Sequence, residues 1–263
     1  MKIVKIFFLS LFLILVVYLV YSNMPFLPPA SRANEGKVLV NTHWMGEGKY
    51  AKFAPGPESV TLGCWSTTLA QIAFYHRLQP EGTSTYKCSK GYIIHEDLND
   101  YNFNWNNFEN QITDSTQENI IDDISRYCYS IATIVQKDFG TGRYITMMPP
   151  VKNIEKQLNV NATLYFNYKG LFQSKRKIRN IIIRELESQR PMYLYYRNMK
   201  VKGSGHSVVL SGYRFDNEGF KVYLNFGWGG RNDGWYNLFD SIVTKGDTEL
   251  RILITIKPNL TST

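Results

Sequence analysis

What most constrains this chain is a change of hydrophobic period at Arg190-Pro191. Before it, apolar residues recur at helical spacing. Trp65, Leu69, Ile72, Ala73 and His76 predict one helix from Cys64, ended by Gln79-Pro80. Ile120, Ile121, Ile124, Tyr127, Cys128, Ile131, Ile134 and Val135 predict a second, begun by the capping box Ser115-Thr-Gln-Glu118. A short third helix is expected near Val151. A fourth runs from about Lys175 to Ser188, with Ile178, Ile182 and Leu186 inward and the lysines and arginines outward. After Pro191 come short runs rich in Val, Ile, Leu and Tyr: Met192–Tyr196, Ser207–Tyr213, Phe220–Asn225, Gly234–Leu238 and Glu249–Ile256, parted by Gly, Asn and Asp turns. Helices segregated from strands predict an α+β fold: a mostly helical first two-thirds and a C-terminal antiparallel sheet.

Composition narrows the class. With 44% hydrophobic, 20% charged and 14% aromatic residues, the chain is neither disordered, nor collagen-like, nor a polytopic membrane protein. Three cysteines exclude a dense disulfide scaffold and a four-cysteine zinc site, and His43 and His95 lack ligand-like spacing, so no metal or other cofactor is expected. Met1–Val38 holds four basic residues and one acid, which leaves 26 basic against 21 acidic residues in the remainder. Such a mild excess is not the basic stripe of a nucleic-acid binder. The run Lys175-Arg176-Lys177 reads as a solvated helix face.

Lys2 and Lys5 precede an apolar run from Ile6 to Tyr21, broken only by Ser10. Sixteen helical residues reach roughly 24 Å, short of a hydrocarbon core of about 30 Å. Residues 1–22 are therefore expected to be a secretory signal peptide or an uncleaved signal anchor, the latter a membrane tether through residues 6–21. Either places the remainder outside the cytosol. Residues 23–38, rich in Pro, Ser and Ala, read as a flexible linker, and 39–263 as the folded domain.

Cys64 follows Gly63 at a helix start, where the dipole and unpaired amides favour thiolate over thiol and offer donors to a developing oxyanion. His206 opens an apolar strand after Gly203-Ser-Gly205, with glycine allowing close approach. Asn225 ends the next strand, before Phe226-Gly227-Trp228-Gly229-Gly230, and is the candidate to orient the imidazole. The order Cys, then His about 140 residues on, then Asn is that of thiol acyl-transfer enzymes. His76 falls about 120° round the helix from Cys64 and reads as a packed structural residue.

Residues Gly63–His76 (GCWSTTLAQIAFYH), Gly205-His206-Ser207 with VVLSGY, and Asn225–Leu238 (NFGWGGRNDGWYNL) resemble the cysteine helix, histidine strand and Asn-x-Gly-Trp-Gly-Gly segment of the streptopain family of papain-like cysteine peptidases. Phe103–Phe108 (FNWNNF) and Asp138–Arg143 (DFGTGR) resemble further family segments in the same order, over roughly Asn41–Pro258. The resemblance implies a papain-like helical lobe packed on a sheet or barrel lobe, and a secreted endopeptidase that prefers bulky apolar side chains beside the scissile residue. It implies Cys64 as nucleophile, His206 as base and acid, Asn225 as orienting residue, and Trp228 as the shield over that contact. Gly140, Gly142 and Gly205 are implied near the substrate cleft. An extended polypeptide is the expected partner, with no obligate protein partner.

Three features depart from the family pattern. Glu47 stands where the family has an oxyanion glutamine; an ionised carboxylate would repel the anion a glutamine amide stabilises. Only Asn23 to about Asn41 is available for the long inhibitory pro-segment usual in the family. Trp65 follows the nucleophile where small residues are usual. A non-catalytic peptide-binding relative and another thiol acyl-transfer enzyme stay open as alternatives.

Overall fold

The computed structural model describes residues 2–23, 32–57, 60–168, 171–172, 174–200, 205–239 and 250–259. The helices are α1 (Lys2–Asn23), α2 (Gly63–Tyr75), α3 (Glu118–Ile134), α4 (Val151–Leu158) and α5 (Lys175–Glu187). Two small hairpins lie among them: β1 (Thr83–Lys87) with β2 (Ile93–Asp97), and β3 (Lys137–Asp138) with β4 (Arg143–Tyr144). The main sheet takes β5 (Val160–Tyr168), β6 (Leu171–Phe172), β7 (Met192–Arg197), β8 (His206–Asp216), β9 (Gly219–Asn225), β10 (Gly234–Asn237) and β11 (Leu250–Pro258). Its order is β10-β9-β8-β7-β11-β5-β6, antiparallel throughout.

Alternation along the central strands gives the sheet two buried faces. Tyr193, Val209, Ile252, Ile254 and Ile256 join the core of the helical lobe, with Trp44, Leu69, Ile72, Ile124, Tyr127 and Ile131. Leu194, Val208, Leu210, Leu224 and Leu253 point the other way, onto Ile178, Ile182 and Leu186 of α5. The helical lobe thus packs on one face and α5 on the other, the α+β arrangement read from the sequence.

Three details differ from expectation. The strand Val160–Tyr168 lies inside the stretch read as helical, and it pairs with β11 across the whole length of both. The capping box at Ser115 does not form: Ser115 Oγ lies 2.9 Å from Thr113 Oγ1, and α3 starts only at Glu118, with Gln117 as its N-cap and no side-chain cap bond. Finally, the linker is no linker over 32–38. Asn34 donates from its side-chain amide to the carbonyls of Leu186 and Glu187 and from its backbone to the Glu187 carboxylate, and Gly36 N–H reaches Tyr213 O at 2.8 Å. Those bonds close the open C-terminus of α5 and lay the segment along β8. Residues 24–31 of the expected linker lie outside the described residues.

The described side chains of α1, Ile6–Tyr18 and Val20, are exposed. Among the described residues no helix is long and apolar enough to cross a membrane.

Candidate active site

Helix α2 has no side-chain cap of its own; Leu62 precedes Gly63 without one. The cap arrives from the β3–β4 hairpin. Tyr144 stacks on Trp65 at 4.1 Å, and its hydroxyl accepts Trp65 N–H at 2.8 Å while donating to Leu62 O at 3.3 Å. The hairpin is itself braced by Lys137, whose buried ammonium donates to the carbonyls of Thr141 and Arg143. Gly63 has φ +79°, and a Cβ there would stand 2.5 Å from the Tyr144 hydroxyl, so only glycine fits. Tyr144→Phe should therefore lower the unfolding free energy by about 1–3 kcal/mol, since it strands a buried amide. Urea titration checks this; an unchanged midpoint would show that the hydroxyl is dispensable.

This end of α2 meets the sheet lobe in a cleft of about 460 Å³ lined by Cys64, His206, Glu47, Gly46, Thr67 and Trp228 among others. Cys64 is half-buried. Burial pushes its thiol up, against the pull of the Ser207 amide and hydroxyl and of the amides of Cys64 and Trp65. The expectation of a lowered thiol is thus reversed: desolvation outweighs the helix dipole. Burial likewise holds His206 down, to about 4, opposed by its bond to the Phe226 carbonyl. Both shifts favour the neutral forms, a thiol and an imidazole.

His206 Nε2 lies 2.9 Å from Phe226 O. A carbonyl only accepts, so Nε2 carries the proton and Nδ1 keeps its lone pair. Trp228 covers the imidazole at 4.6 Å between ring centres. The orienting partner is therefore a backbone carbonyl and not the Asn225 side chain, which forms no hydrogen bond with His206 among the described residues. Asn225 turns inward instead. Its Nδ2 donates to Thr42 O at 2.6 Å, it pairs reciprocally with Gln71 at 3.2 Å, and its Oδ1 accepts Gly227 N–H at 2.9 Å. The cause is register: β8 and β9 pair Val209 with Asn225, so His206 sits three residues beyond the pair and reaches Phe226. Asn225 still bears on the imidazole at one remove, because Gly227 N–H and Phe226 O belong to the same peptide plane.

Gln71, missed in the sequence, ties α2 to the sheet. Besides Asn225 it accepts from Thr42 Oγ at 2.8 Å and Trp44 N–H at 3.3 Å. The available signal was its place seven residues after Cys64, about 20° off the same helical face, as a fully polar side chain among apolar ones.

Glu47 is exposed at the cleft rim, on a segment fixed by Leu62 N–H to Gly46 O at 2.7 Å and by a bridge between Met45 and Trp228. The glycines fare differently. Gly140 (φ +79°) packs against Tyr92 and Lys90, Gly142 faces open space, and Gly205 lies under the Tyr195 hydroxyl; none lines the cleft. Cys88 and Cys128 are free, buried thiols.

Streptopain of Streptococcus pyogenes serotype M1 is 28% identical over 204 residues, 71% of this chain and 49% of that protein. The serotype M28 streptopain is 27% identical over the same length, so the chain spans about half the length of the curated relatives it matches. Among solved structures, active wild-type interpain A cysteine protease of Prevotella intermedia superposes with a TM-score of 0.73 at 18% identity, covering 88% of this chain and 98% of that one. A prointerpain A fragment from the same organism gives 0.66 at 17% identity, covering 90% and 78%. These two establish the papain-like fold. The Peptidase C10 family model matches residues 44–236, from the segment beside Glu47 through the cysteine helix and histidine strand to Tyr236, and the chain belongs to that family.

Proposed function

We propose that this domain is a cysteine endopeptidase that hydrolyses extended polypeptides through a thioester, with Cys64 as nucleophile and His206 as base and then acid. The observation that carries the reading is the shared cleft: a thiol at a helix N-terminus and an imidazole whose Nε2 is held by a carbonyl open onto the same cavity. Because both groups rest neutral, attack is concerted with proton transfer. Nδ1 takes the thiol proton as sulfur adds to the scissile carbonyl, and the growing negative charge on oxygen meets the Cys64 amide at the start of α2. The imidazolium, its Nε2–H on Phe226 O, then protonates the leaving amine. Water next adds to the thioester with the imidazole again as base, releasing the acid and the free thiol. A secretory leader over residues 1–22 and a preference for bulky apolar side chains beside the scissile bond belong to the same proposal.

The test is digestion of an unfolded polypeptide alongside mass analysis after an epoxysuccinyl thiol inhibitor. Cleavage with adduction at Cys64, lost in His206→Ala, is the expected pair of results. Adduction without cleavage points to another thiol acyl transferase. An inert Cys64 without cleavage points to the peptide-binding relative, which Glu47 at the rim favours.

A pH profile adds a second check. His206 acts as base only when neutral, and its proton leaves near pH 4. Therefore kcat/KM should hold as pH falls toward about 4 and drop below it. The Cys64 thiol, raised by burial, should alkylate with iodoacetamide faster as pH climbs beyond neutrality. A rate already at its plateau in mild acid would mean a preformed thiolate–imidazolium pair instead.

A further inference from the structure

The peptide that holds His206 is itself held from behind. Phe226 N–H donates to Asp233 Oδ1 at 2.8 Å, and Asp233 Oδ2 lies 3.2 Å from His43 Nδ1. The Asp233 carboxylate is 4% exposed and the His43 ring 40%, so the anion is buried and its partner reaches solvent. Burial pushes the Asp233 carboxyl up, while the Phe226 amide and His43 draw it down. The turn that delivers Asp233 is tightly specified. Gly229, Gly230 and Asn232 have positive φ, Asp233 N–H reaches Gly230 O, and a Cβ on Gly230 would stand 3.2 Å from His43 Nδ1. On the other side, the backbone N–H of His43 donates to Asn110 O at 2.7 Å, which anchors the His43 backbone to the helical lobe.

Residue 226 is thus pinned on both sides. Asn225 Oδ1 holds the peptide after it through Gly227 N–H, and Asp233 holds the peptide before it. With both planes fixed, the Phe226 carbonyl has one direction, and that direction sets the imidazole.

We propose that Asp233, backed by His43, is a positioning residue: it fixes Phe226 so that its carbonyl keeps the proton on His206 Nε2 and the lone pair on Nδ1. Asp233 does not line the cleft and touches neither reacting atom. Its contribution to turnover rests on the peptidase reading, but its effect on the imidazole does not.

The test uses Asp233→Ala and Asp233→Asn, read two ways. In the Cys64→Ala background, long-range proton–nitrogen NMR of the His206 ring should show the Nε2–H form alone with Asp233 present and a mixture of tautomers in Asp233→Ala. In the intact enzyme, Asp233→Ala should lower kcat about 30-fold with KM within about twofold, because small displacements of a base are costly. Asp233→Asn keeps an oxygen for the Phe226 amide, so it should retain the single tautomer and stay within about threefold of the parent kcat. If Asp233→Ala does not fold, Asp233→Glu replaces it, since one extra methylene displaces the acceptor and should give the same mixed tautomers. An unchanged tautomer in the folded alanine or glutamate variant, or mixed tautomers in the asparagine variant, overturns the proposal. Absence of peptide hydrolysis in the parent protein would overturn the peptidase reading alone, for the ring signal still reports on Asp233.

Discussion

Replacing Cys64 with alanine is expected to cut kcat on an unfolded polypeptide by about 10⁴-fold or more, and His206→Ala by a similar factor. Each follows from the neutral resting pair. Without Sγ there is no atom to form the thioester. Without the imidazole the thiol, which burial keeps protonated, has nothing to surrender its proton to as it attacks. The two losses should not add. A double variant is expected to be no slower than the worse single one, because either deletion removes the same covalent step. Cys64→Ala should leave KM within a few-fold, since substrate contacts along the cleft persist, and the thermal midpoint should hold because the side chain is small and half-buried. His206→Ala needs that control more, for it removes the ring beneath Trp228. Initial rates on a quenched polypeptide, with the thermal midpoint of each variant, decide the matter. A Cys64→Ala protein retaining more than about one hundredth of parental kcat would mean that the thiol is not the nucleophile.

Why these two residues were legible, and their supporting groups were not, has a physical basis. Cys64 and His206 each sit at the first residues of an element marked off by glycine, where sequence alone gives both position and exposure. The orientation of Asn225 depended on strand register, which is set by bulges and turns and not by composition. One irregularity between Leu210 and Gly212 helps put Asn225 opposite Val209, and the contact passes to the Phe226 backbone, which carries no sequence signature at all. Tyr144 directly follows DFGTGR, but a cap supplied from 79 residues away cannot be read from the helix it closes. The strand Val160–Tyr168 was missed for a related reason: its alternation is weak, and the pairing that makes it a strand is with β11, some 90 residues later. The sense of the thiol's shift was also misjudged. A helix start favours thiolate only where desolvation does not outweigh it, and at Cys64 burial does.

Glu47→Gln is expected to raise kcat by about 10- to 100-fold, an unusual direction for a change at a catalytic rim. The segment carrying Glu47 is not free to move aside: Gly46 packs so closely on α2 that a Cβ there would lie 2.8 Å from Thr67 Oγ and 3.3 Å from Gly63 N, and Glu47 follows directly. Its side chain shares the cleft with Cys64. When sulfur adds to the scissile carbonyl, charge grows on an oxygen beside the start of α2, where the Trp65 amide is already taken by Tyr144. That leaves the Cys64 amide as the main donor, with a carboxylate close by opposing the charge. Glutamine has the same length and replaces an acceptor with an NH₂ donor, so it removes a repulsion and adds a hydrogen bond that exists only in the transition state. The gain should therefore appear in kcat, with KM little changed. Glu47→Ala separates the two contributions: it lifts the repulsion without supplying a donor and should fall between parent and Glu47→Gln. A fall in kcat for Glu47→Gln would assign the carboxylate a positive task in the cleft, such as pairing with a basic substrate side chain, and KM for substrates with and without a nearby lysine would then show it.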